Sequence, residues 1–197
     1  MPVPRIGLWI AVFFALGSIV VGPARATEDR YAAVRETLGT CFTCHGPNGA
    51  STEAEFPILA GQHFFYLYVQ MKDFKAGRRA NAVMEEFVAT LSRDEMKTLA
   101  RFFSEQTWPD IGYKADPARA KIAKAATTGG QCVQCHLGGY EGNSGTPRVA
   151  GQHITYLEKS MLDFKSKARA NAAAKSSLMD SYSADEIRKM AEFMAGM

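Results

Sequence analysis

Apolar residues recur along this chain at helical intervals, and the same arrangement is met twice. Tyr31, Val34 and Leu38 stand three and four residues apart, which predicts a helix over residues 28–38 with Thr27 available as its N-cap. An aromatic-rich helix is predicted from Gln62 to Ala76, where Gly77 can end it. Ser92-Arg93-Asp94-Glu95 is a capping box that opens a helix through Leu99, Phe102 and Phe103. Residues 107–116 contain Pro and Gly and read as a linker. The pattern then restarts: Asp116 caps and Pro117 opens a helix to about Thr127. Met161 and Phe164 answer Met71 and Phe74, and a second capping box, Ser183 to Glu186, opens a helix presenting Ile187, Met190 and Phe193. No strand-like alternation interrupts this order, so the expected class is all-α.

The correspondence extends to individual letters. Ala60-Gly61-Gln62-His63 returns as Ala150-Gly151-Gln152-His153, and Arg79-Ala80-Asn81-Ala82 returns as Arg169-Ala170-Asn171-Ala172. A match sustained at an offset of about 90 residues is an internal duplication, giving two tandem domains over residues 27–110 and 111–197. Each is too small to bury a large core from side chains alone, so a bound apolar group is expected to complete it.

The cysteines identify that group. All four belong to two five-residue stretches, Cys41-Phe42-Thr43-Cys44-His45 and Cys132-Val133-Gln134-Cys135-His136. C-x-x-C-H is the attachment signature of c-type haem, in which both thiols bond the porphyrin and the adjacent histidine reaches the iron. A thioredoxin-type pair or a four-ligand zinc site uses the same letters, but the two pairs lie far beyond compact zinc-module spacing and each carries its own histidine. The expected cofactors are two covalently bound haem c groups. Pro57 and Pro147, at matching positions, each offer a carbonyl suited to accept the proximal histidine's Nδ1–H.

The repeats part company at the second axial ligand. Met84 follows the Arg79–Asn81 loop beside Glu85 and Glu86 and is assigned to haem one, whereas Met71 and Met96 fall at core spacing. Its counterpart in repeat two is Ala174 counted from one side and Lys175 counted from the other. Three arrangements remain: Lys175 as a neutral amine, Met179 one helical turn later, or an iron left five-coordinate. His63 and His153 are expected in structural or surface roles, and Tyr66, Tyr68 and Tyr156 in core packing rather than at the face where the domains meet.

At the N-terminus Arg5 precedes an apolar run from Ile6 to Gly22, and Ala24-Arg25-Ala26 supplies a signal-peptidase site. Residues 1–26 are therefore read as a signal peptide and the location as periplasmic. If the segment is retained, its run of seventeen uncharged residues provides a membrane association at the short edge of a span. The whole chain has 197 residues and a net charge of +3, with no basic run of the kind nucleic-acid binders carry. Charge is unevenly shared: residues 27–110 hold nine Lys/Arg against twelve Asp/Glu, and residues 111–197 hold twelve against eight. Such a dipole orients a molecule toward a charged partner.

Together the paired motifs, the Cys44-His45-Gly46-Pro47-Asn48-Gly49 loop, the twice-used Ala-Gly-Gln-His and the Asp73-Phe74-Lys75 to Arg79 segment resemble the cytochrome c4 family over essentially all of residues 28–197. The haem subunit of flavocytochrome c sulfide dehydrogenase is similar in layout. The resemblance implies two class I cytochrome c domains about a pseudo-two-fold axis, with haem propionates near each other. It also implies Cys41, Cys44, His45 and Met84 at haem one, and Cys132, Cys135 and His136 at haem two. The implied function is electron transfer between a respiratory or dehydrogenase donor and a terminal oxidase or reductase, with redox proteins as partners and no substrate of its own. Two alternatives stand beside it: a dedicated electron-accepting subunit of a sulfur-compound dehydrogenase, and a haem enzyme with an open or switchable second haem.

Overall fold

The computed structural model describes residues 29–197, so the signal-peptide segment and the Thr27 cap lie outside the described residues. Within them the chain is helical. A 3-10 turn, Ala32–Val34, leads into α1 (Arg35–His45), followed by α2 (Phe64–Lys75), α3 (Ala82–Ala89) and α4 (Arg93–Ser104). The second series is α5 (Pro117–Gly129), the single turn α6 (Val133–His136), α7 (Ile154–Lys165), α8 (Ala173–Asp180) and α9 (Ala184–Ala195). Both capping boxes form, Ser92 with Glu95 and Ser183 with Glu186, each satisfying two backbone N–H groups that a helix start leaves open. Asp116 caps α5 through the Arg119 N–H, and Pro117 stands where the missing N–H costs nothing.

Two boundaries differ from those the sequence predicts. The first helix does not stop short of the haem motif; α1 runs through it to His45. The aromatic helix begins two residues later than expected, because His63 is extended and the Gln62 side chain is engaged across the molecule. In the second half, by contrast, the helix breaks before the motif: Gly130 ends α5, and Gln131 takes a left-handed φ of 52° before α6 begins.

The amphipathic faces pack into two separate cores. Val34, Leu67, Phe74, Val88, Leu99 and Phe103 belong to one, and Leu157, Ile187, Met190, Ala191 and Met194 to the other. Leu99 and Ile187 are essentially sealed from solvent, and burying a side chain of this size contributes roughly 1.5–3 kcal/mol. Helices α2 and α4 pair in the first half, and α7 and α9 in the second.

The halves meet reciprocally, as an isologous interface requires. The Gln62 amide donates to the Arg148 carbonyl and accepts from the Arg148 N–H; Gln152 does the same at Ile58. His63 Nε2 lies 2.9 Å from the Glu141 carbonyl oxygen and His153 Nε2 lies 2.9 Å from that of Ser51. Arg79 and Arg169 form an antiparallel bridge, closed by the Ala170 N–H to the Arg78 carbonyl. The histidines are thus structural ties between the repeats. No helix among the described residues is long and apolar enough to cross a membrane.

Candidate functional site

Helix α1 explains the C-x-x-C-H spacing. Positions three and four apart share a helix face, so Cys41, Cys44 and His45 project from one side of the last turns. None of the four cysteines is in a disulfide: Cys41, Cys44 and Cys132 are half-buried and Cys135 is exposed. Burial pushes the Cys41 thiol up to about 11 and raises that of Cys132. Among the described residues no three His, Cys, Asp or Glu side chains converge as a zinc site requires.

Each motif histidine is buried and held in one orientation. His45 Nδ1 lies 2.9 Å from the Pro57 carbonyl oxygen, and His136 Nδ1 lies 2.9 Å from that of Pro147. A carbonyl only accepts, so Nδ1 carries the proton and Nε2 is left with its lone pair, which in His136 accepts from Lys175. Burial lowers the pKa of His45 and takes that of His136 to about 4, with the Lys175 charge as a further cause for His136. Both rings are therefore neutral near pH 7, the form that binds a metal.

Opposite His136 stands the amine of Lys175. Its Nζ is 2.8 Å from His136 Nε2, and burial, then the Arg169 charge, lowers the pKa of the amine. The two nitrogens, from α6 and the first turn of α8, are in direct hydrogen-bond contact. Met179, the other sequence candidate, is buried on α8 as Val88 is on α3, its counterpart one repeat earlier. Met84 sits in the first turn of α3, its backbone N–H capped by Asn81, and packs at the edge of the first core. Phe56 meets the His45 ring edge to face at 6.3 Å.

The seam holds a polar group that sequence spacing assigns elsewhere. Tyr66 and Tyr156, expected in core packing, instead meet arginines of the opposite repeat: Arg169 Nη2 donates to the Tyr66 hydroxyl at 3.2 Å, and Arg79 Nη2 to the Tyr156 hydroxyl at 3.0 Å. Tyr68 keeps the packing role, beside the first core. The signal for the seam lies in the two segments repeated letter for letter, but repetition alone does not tell a core position from an interface position.

The residues present fit a c-type haem in each half: two thiols on one side, and an oriented imidazole with its lone pair directed away from the anchoring carbonyl. Comparison with known proteins points the same way. No family model matches the chain. Cytochrome c4 of Azotobacter vinelandii is 34% identical over 180 residues, 82% of this chain and 83% of the relative. A thiosulfate dehydrogenase electron acceptor of Stutzerimonas stutzeri is 30% identical over 80% of this chain and 78% of the relative. Among solved structures, reduced recombinant cytochrome c4 from Pseudomonas stutzeri superposes with a TM-score of 0.76 at 30% identity, covering 84% of this chain and 97% of that one.

A helical tandem with one thiol–thiol–imidazole set in each half is a dihaem electron-transfer cytochrome made of two class I cytochrome c domains. More narrowly, the chain belongs to the cytochrome c4 family, and its cofactors are two covalently bound haem c groups.

Proposed function

We propose that the protein is a periplasmic electron carrier whose two haems are ligated differently and work at different potentials. Cys41 and Cys44 would attach haem one, with His45 and Met84 holding its iron. Cys132 and Cys135 would attach haem two, with His136 and Lys175 holding its iron. Haem iron supplies the one-electron chemistry, and a thioether ligand favours the reduced iron more than an amine does. The chain's own part is to orient each imidazole through Pro57 or Pro147 and to bury the Lys175 amine, which lowers its pKa and so favours the neutral form that would bind a metal. The single observation that carries this reading is that the Lys175 amine, and not the Met179 thioether, stands against His136 Nε2, in hydrogen-bond contact at 2.8 Å, where it would be at hand to ligate the haem iron.

A spectroelectrochemical titration of the matured protein tests it. Two resolved haem populations are expected, with the methionine-to-iron charge-transfer band accounting for only one of them. Equal potentials, or that band from both haems, would count against Lys175 and return the assignment to Met179.

A second reading, as the dedicated acceptor of a sulfur-compound dehydrogenase, is favoured by the relative named a thiosulfate dehydrogenase electron acceptor. Reduction of the purified protein by such a dehydrogenase with thiosulfate, at rates above those for an unrelated c-type cytochrome, separates it from general respiratory transfer.

A further inference from the structure

Two side chains tie the end of α8, the helix that carries Lys175, to neighbouring helices, and one of these ties has no counterpart in the first half. The shared tie comes from the preceding helix. Lys165 Nζ donates to the Asp180 carbonyl at the end of α8, as Lys75 Nζ donates to the Leu91 carbonyl just beyond α3. The added tie is Tyr182. It lies seven residues after Lys175, between α8 and the Ser183 cap of α9. Its hydroxyl donates to the Ala126 carbonyl, in the last turn of α5, at 3.0 Å. Leu91 holds the matching place before the Ser92 cap and has no hydroxyl to offer.

The broken motif helix gives the added tie its purpose. In the first half α1 runs unbroken into His45, so helix geometry itself holds the motif. In the second, α5 ends at Gly129, Gln131 turns left-handed, and the motif continues in the single turn α6. Tyr182 arrives at that break. A Cβ on Gly130 would collide with the Tyr182 hydroxyl oxygen and stand 3.4 Å from Cys132 Sγ, so glycine there is what lets the phenol reach the Ala126 carbonyl. We propose that Tyr182 is a positioning residue for haem two. It acts as a strut between the element bearing Lys175 and the element leading to Cys132 and His136, and keeps the amine set against His136 Nε2. This rests on the reading of Lys175 as a ligand and adds what holds that lysine in place. Without the strut α8 keeps Lys165 but loses its register on α5, and the Lys175 side of haem two opens to an outside ligand.

Carbon monoxide titration of the reduced full chain, matured with haem, tests this. Tyr182→Phe keeps the ring and removes the hydroxyl. It should raise the apparent affinity for carbon monoxide at one haem per chain by roughly fivefold, the bias a single neutral hydrogen bond gives, because apparent affinity scales with the open fraction. The methionine-to-iron band of the oxidised protein, which reports haem one, should stay unchanged. Gly130→Ala, which displaces the hydroxyl by another route, should have the same effect and carries the test if Tyr182→Phe fails to accumulate. Lys175→Ala should bind carbon monoxide more tightly than either, and adding Tyr182→Phe to it should change nothing further, because the strut acts through the lysine. A tyrosine that only supports the fold would lower the denaturation midpoint and leave carbon monoxide affinity where it was, and that result overturns the proposal. So does an affinity that rises as much in the Lys175→Ala background as in the wild type. A Lys175→Ala protein with wild-type affinity would break the ligand reading instead, a result distinct from a lysine ligand unmoved by loss of the strut.

Discussion

The two halves of this molecule use nearly the same words for different ends. In the first, Asn81 caps α3 and fixes the turn that carries Met84. In the second, the matching Asn171 leaves α8 uncapped and turns to Gln70 and Asp73 across the seam. One inserted residue shifts the register between Arg169 and Ser183, and the turn that presented a thioether now presents the Lys175 amine to His136. The motif helix shows the same divergence. It is continuous through His45 in the first half, and broken at Gly130 and Gln131 in the second. A duplication preserved the scaffold and the orientation of the motif histidine, while the matching short turn carries Met84 in one half and Lys175 in the other. The scaffold depends on the burial of a few side chains, whereas the ligand depends on which residue one short turn delivers.

The comparison is broken most directly at Lys175. Lys175→Met should make the halves alike, raising the haem two potential by a hundredfold or more in its reduction equilibrium, on the order of 120 mV at about 59 mV per tenfold. Met179→Ala should leave that potential in place while destabilising the second core by about 2–5 kcal/mol. The lysine also predicts a pH dependence. Its pKa is lowered on folding, so the unfolded chain binds the extra proton below about 10.5 and stability rises with pH toward that value. The slope reaches at most about 1.4 kcal/mol per pH unit. Denaturant titrations between pH 7 and 10 should show this rise in the wild type and not in Lys175→Met.

Gln152→Leu sharpens the comparison across the seam. Gln152 of the second half holds both backbone groups of Ile58, the residue after Pro57, whose carbonyl anchors His45. Leaving that buried N–H and C=O unpaired should cost about 2–3 kcal/mol and shift the potential of haem one rather than haem two. Gln62→Leu should do the converse through Arg148 and Pro147.

Asn81→Ala should cost about 1 kcal/mol by chemical denaturation, the ordinary loss of an N-cap, and weaken the Met84 band. At Asn171 the same change should leave α8 as it is, since no cap is lost there. The smallest effect is expected at Leu137, which follows His136 with φ 65° and ψ 174°, backbone that Gly46 occupies at the matching place in the first half. Leu137→Gly should stabilise the second half by about 1 kcal/mol, read as an upward shift in the denaturation midpoint.

Much of this architecture is legible in the order of residues. The helical spacing of apolar residues marks three helices of each half because one-sided burial imposes a 3.6-residue period, and it leaves the short α3 and α8 unmarked. Ser92, Ser183 and Asp116 mark helix starts because a side-chain oxygen is the local remedy for an open N–H. The spacing narrows the axial pairing at haem two to Lys175, Met179 or an open site, and no further, because an inserted residue makes the alignment ambiguous by one position. It misplaces Tyr66 and Tyr156 because an amphipathic ring recurs at the same interval whether it faces a core or another domain.

The sequence by itself determined the all-helical duplication and the cofactor chemistry written in the two C-x-x-C-H motifs. These follow from local rules, since periodicity, capping and covalent attachment act within a few residues. Only the tertiary structure decided that Gln62 and Gln152 brace the opposite half, that Arg79 and Arg169 share one seam, and that Lys175 reaches His136. Those pairings join residues 39 to 103 positions apart, and their geometry exists only once both halves have packed.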